Sequence, residues 1–106
     1  MRWLVAILVV TFFATPALAE WYEGGTLHNA SLAQWKAGSY SDKLATAGDW
    51  SVTILGEAKV RKIGFSGVKV IANEIVNCVD EVAKENSISS QRASEMAAAC
   101  FIMLGL

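Results

Sequence analysis

An all-α fold of about four helices, the last two forming an antiparallel hairpin closed by one disulfide, is predicted by three observations. Val68, Ile71, Ala72, Ile75, Cys78, Val79 and Val82 recur at helical spacing on one face, with Lys69, Asn73, Glu74, Asp80, Glu81 and Lys84 mostly opposite. Ala93, Met96, Ala97, Cys100 and Leu104 form a second stripe, after a turn over Asn86 to Ser90 with Ser89 or Ser90 as N-cap. With that turn centred on Ile88, Cys78 lies ten residues before it and Cys100 twelve after, so the two sulfurs reach similar heights on facing helices.

The earlier elements are shorter. Glu20 to Asn29 contains Gly24-Gly25 and no apolar period, which predicts an irregular arm with Trp21 and Tyr22 tucked onto the core. Ser31 followed by Gln34 matches a capping box, in which side chains satisfy free amides at a helix start. A short helix carrying Leu32 and Trp35 follows and stops at Gly38. Ser41 is a second N-cap candidate, with Asp42 in the first turn, where negative charge is favoured. Leu44, Ala47, Gly48, Ser51, Ile54 and Leu55 then repeat at three and four residues. Ser51 to Leu55 also suits a strand, which would end this helix near Trp50. Between Gly56 and Gly67 the alternatives are a short strand and a final helical turn.

Ahead of these elements lies a leader. Arg2 supplies a positive start, Trp3 to Phe13 is apolar except for Thr11, and Pro16 precedes Ala17-Leu18-Ala19, whose small residues suit a signal peptidase. Cleavage after Ala19 leaves 87 of 106 residues, one domain. The apolar run falls short of the ~20 residues needed to cross a bilayer, so no stable membrane insertion is expected after cleavage. The destination is periplasmic or secreted. In such an oxidising compartment Cys78 and Cys100 permit one intramolecular bridge, worth on the order of 3 kcal/mol for a loop of this length.

Nine basic residues less Arg2 leave eight against ten acidic, a net charge of −2, which does not suit nucleic acid. The one basic cluster, Lys59, Arg61 and Lys62, is expected in a solvated turn. His28 reads as a surface or capping residue, and Asp80 and Glu81 as solvated charges, because adjacent helical positions point apart. No phosphate-binding glycine loop, C-x-x-C pair or zinc-ligand spacing occurs, so no cofactor, metal or catalytic residue is assigned.

Two enrichments suggest contact with a partner. Trp21, Tyr22, Trp35, Tyr40 and Trp50 cluster in the first half of the mature chain, and Ala97 to Leu106 is more apolar than one buried face requires. Core packing accounts for the aromatics first. The alternative is a surface for a protein partner or for self-association, built on Trp21, Tyr22, Trp35, Phe101, Ile102 and Leu106.

Gly25-Thr26-Leu27-His28-Asn29-Ala30 and Lys43-Leu44-Ala45-Thr46-Ala47-Gly48-Asp49-Trp50 resemble segments of small exported proteobacterial proteins of no assigned activity. In size, export and two-cysteine hairpin the chain is also distantly similar in type to the Rap1a/Tai immunity proteins. That similarity implies binding and blocking of a secreted amidase. Acid-stress periplasmic chaperones of the HdeA kind are likewise small, helical and single-disulfide, with cysteines much farther apart. The expectation is a non-enzymatic exported binding protein of immunity or inhibitor type, with a periplasmic holdase as the alternative and a small hydrolase after that.

Overall fold

The computed structural model describes residues 20–106; the leader expected over 1–19 lies outside the described residues. Four helices follow an irregular arm: α1 (Leu32–Ala37), α2 (Tyr40–Leu55), α3 (Glu57–Val82) and α4 (Ala93–Met103), with a 3-10 turn at Asn86–Ile88 before α4. No strand occurs among the described residues. The one β-type contact among the described residues is an isolated bridge between Ser31 and Arg92.

α1 starts as the capping box predicts: the Ser31 hydroxyl accepts from the Gln34 amide, and the Gln34 side chain accepts from the Ser31 amide. α2 departs from expectation at its start. Its N-cap is Ser39, whose hydroxyl accepts from the Asp42 amide at 3.1 Å, and Ser41 lies inside the helix. Of the two readings of Ser51 to Leu55 the helical one holds, and there Ser51 donates back to the Ala47 carbonyl and Thr53 to that of Asp49. Those bonds let hydroxyl and β-branched residues stay helical.

The stretch from Glu57 to Gly67 is also helical, so Lys59, Arg61 and Lys62 stand on α3 and not in a turn. Gly64 interrupts α3 at φ 71° and ψ 173°, a backbone conformation confined in practice to glycine. The kink turns the first part of the helix away from the second. α2 and α3 run antiparallel, since the Tyr40 hydroxyl donates to the Asn73 side chain although 33 residues separate them.

Cys78 and Cys100 are disulfide-bonded, with Cα atoms 6.1 Å apart, and this staples α3 to α4. The predicted stripe is inside: Val68, Ala72, Ile75 and Val79 are buried, and Val76 joins them. On α4, Ala93, Ala97 and Cys100 are buried as expected, but Phe101 replaces Leu104 as the inward residue of the last turn. Neither Ser89 nor Ser90 caps α4. Arg92 holds that position without a side-chain bond, and the Ala93 amide donates to the Ala30 carbonyl at 2.9 Å. In return, the Leu32 and Ala33 amides donate to the carbonyls of Gln91 and Ser89. The first turns of α1 and α4 thus satisfy each other through backbone.

One polar junction ties three helices. Trp35 of α1, wholly enclosed at 0 % exposure, donates its indole N–H to Asp80 of α3 at 2.9 Å. Lys43 of α2 reaches the same carboxylate oxygen at 3.0 Å, with its side chain only 13 % exposed. Asp80, its side chain 39 % exposed, is thus both solvated and bonded to two other helices, whereas Glu81 pairs with Lys84 at the surface. Replacing Asp80 by Ala orphans the buried indole N–H and should destabilise the fold by about 2 kcal/mol. Glu81→Ala should change stability by less than about 0.5 kcal/mol. Urea unfolding of both variants with the disulfide intact measures the difference, and equal midpoints would refute the junction.

Candidate functional site

Two surface features stand out, one at the free end of the hairpin and one under the N-terminal arm. The first follows from the composition of the last helix, whose final turn is apolar. α4 has one face against α3, yet its last turn and tail are apolar all round. Phe101 turns inward at 3 % exposure, while Ile102 is 79 % and Met103 71 % exposed, with Leu104 and Leu106 partly open beside them. An adjoining groove of about 130 Å³ runs between the end of α2 and α4, walled by Trp50, Ile54, Ala97, Ala98 and Phe101, with Thr53 and Ser94 at its edge. Small alanines on α4 hold the groove open where a larger side chain would fill it. Together the groove and the tail form a continuous apolar surface, the kind that marks contact with another molecule.

The six residues proposed for partner contact therefore separate. Ile102 and Leu106 are exposed in this patch, and Phe101 forms part of its floor. Trp35 is withdrawn: it stacks on Trp50 with ring centroids 5.5 Å apart, and an enclosed indole has no surface to offer a partner. Trp21 and Tyr22 are half-buried in the arm, remote from the hairpin in sequence. Met103, Leu104 and Ile54 were missed; the helical period could have found Met103, but Ile54 comes from another helix.

The arm is held by side chains rather than by regular structure. The Thr26 amide donates to Asp42 Oδ1 at 2.7 Å, and its hydroxyl donates to Asp42 Oδ2 at 2.5 Å. Trp21 lies directly on Gly48, where a Cβ would sit 2.7 Å from the ring, so α2 needs glycine at this point. Tyr22 stacks on Phe65 of α3 with centroids 4.8 Å apart. The His28 ring nitrogen meets Asp49 Oδ2 at 2.8 Å and the ring stands edge-on to Trp50 at 6.3 Å. Both members of this pair are open to solvent, and no hydroxyl or thiol among the described residues is hydrogen-bonded to His28. Its visible work is to fasten the arm to α2. Among the described residues no cluster of three or more His, Cys, Asp or Glu is arranged to hold a metal ion.

The Thr26 hydroxyl and amide hold the Asp42 carboxyl below the ordinary carboxylate range, against a smaller opposing effect of burial. Because the folded-state value is the lower one, the clasp contributes its stability above the ordinary carboxylate range and loses it as pH falls through the folded value. Thr26→Val should therefore be less stable than the parent chain at pH 7, with the two converging as pH falls through the folded value of Asp42. Urea midpoints followed across that interval test it; a gap that persisted at low pH would remove Asp42 as the cause. No helix among the described residues is long and apolar enough to cross a membrane. Compared with protein-family models, curated proteins and solved structures, the chain has no match in any of the three.

Proposed function

We propose that this chain is an exported, non-enzymatic binding protein that docks on another protein of the cell envelope through the free end of its stapled hairpin, in the manner of an immunity or inhibitor protein. The observation that carries this reading is the exposure of Ile102 and Met103 beside the groove floored by Phe101. Export follows from the leader pattern of residues 2–19, and the disulfide suits an oxidising destination. The staple also serves docking. By fixing Cys100 against α3, it holds the last turn of α4 rigid, so little ordering entropy is lost when a partner covers it.

Full burial of two such side chains is worth about 3–5 kcal/mol. The double substitution Ile102→Asp, Met103→Asp should therefore weaken the complex by at least about 100-fold, while Lys36→Gln on α1 leaves it unchanged. The measurement is recovery of envelope proteins on the immobilised, disulfide-intact chain, followed by titration of whichever protein is retained. Recovery of nothing, or equal affinity for the double variant, would overturn the reading.

A further inference from the structure

A second surface lies on the α2–α3 pair and shares no residue with the apolar patch. Here Tyr40 of α2 and Val70 of α3 wall an open groove of about 280 Å³, with Ser66, Lys69 and Asn73 along α3. Small-molecule sites span roughly 300–1,000 Å³, so this groove has room for about one ring and no more. Its chemistry is mixed. The Tyr40 ring is 55 % exposed and presents a flat apolar face. The Tyr40 hydroxyl donates to the Asn73 carbonyl oxygen, which fixes the amide and leaves its two N–H donors free for a ligand. Ser66 adds a hydroxyl that both donates and accepts.

Lys69 gives the groove its charge. Its ammonium stands 6.0 Å from the Trp21 ring centroid, and it forms no ion pair among the described residues. Lys43, Arg61 and Lys84 are each neutralised by a carboxylate. A single ammonium, with no arginine fork beside it, suits one carboxylate better than a phosphate, which draws on several cations or a bidentate guanidinium. The flat ring, the free amide and the hydroxyl suit a compact polyol with one apolar face. Those demands meet in a pyranose bearing a carboxylate.

We propose that the Tyr40–Lys69–Asn73 groove is a saccharide subsite for an acidic pyranose, with the sugar face on the Tyr40 ring, the carboxylate on Lys69 Nζ and ring hydroxyls on Asn73 and Ser66. The site is independent of the hairpin patch. Isothermal titration of the disulfide-intact chain with tetragalacturonate, at low ionic strength, tests it beside the same oligomer with its carboxyls reduced to the neutral sugar. The acidic oligomer should bind saturably, and the neutral one at least ten-fold more weakly. Lys69→Gln and Tyr40→Ala should each lose at least ten-fold, with Lys36→Gln as an unaffected control. Urea midpoints check that each variant is folded, and Lys69→Gln alone suffices if Tyr40→Ala disturbs α2. Equal binding of the acidic and neutral oligomers, no saturable binding of either, or undiminished binding by Lys69→Gln would overturn the proposal. So would preferential binding of a tetrapeptide through its terminal carboxylate.

Discussion

Enclosure of the Trp35 indole is the constraint on which the rest of this structure depends. A helix of six residues has too few internal hydrogen bonds to persist alone. α1 persists because its one large side chain is sealed against α2 by the stack on Trp50 and fixed to α3 through the Asp80 carboxylate. Its first turn is joined to the entry of α4 by the exchange of backbone hydrogen bonds among Ala30, Leu32, Ala33 and the loop of Ser89 to Ala93. All the other helices therefore meet at α1. An indole N–H buried without an acceptor would oppose this arrangement, which is why a carboxylate on α3 is tolerated so close to the core.

The disulfide does a different job. The residues between α3 and α4 form a 3-10 turn and bends with few buried side chains, so the hairpin gains little from its own connection. Joining Cys78 to Cys100 fixes the register of the two helices near the middle of their contact. Beyond that point α4 is apolar on all sides, whereas α3 covers only one of its faces. Ile102 and Met103 lie on faces of α4 that α3 does not cover, and so stay exposed.

The N-terminal arm lies across α2 and α3 and carries no regular structure, yet it decides two local features. It lays Trp21 on Gly48, and Trp21 in turn backs Lys69. It also sets Tyr22 against Phe65, which follows the Gly64 kink. The Thr26–Asp42 and His28–Asp49 contacts fasten it at two points along α2. The aromatic cluster of the first half is therefore divided between core (Trp35, with Trp50 packed against it) and an arm that shapes the α2–α3 surface (Trp21, Tyr22).

The sequence by itself determined the helical class, the capping box of α1, the inward face of α3 and the pairing of Cys78 with Cys100. Each is written in residues a few positions apart or in a period one helix imposes on its own side chains. Tertiary structure alone decided the rest. Ser39 rather than Ser41 caps α2, both being equally suited locally, and α4 takes its first partner from Ala30 rather than from a serine beside it. Asp80 became a junction because Trp35 and Lys43, 45 and 37 residues away, converge on it. The apolar patch and the Tyr40–Lys69–Asn73 groove each draw walls from two helices. Local chemistry is read along the chain, whereas a surface is made by neighbours that only packing brings together.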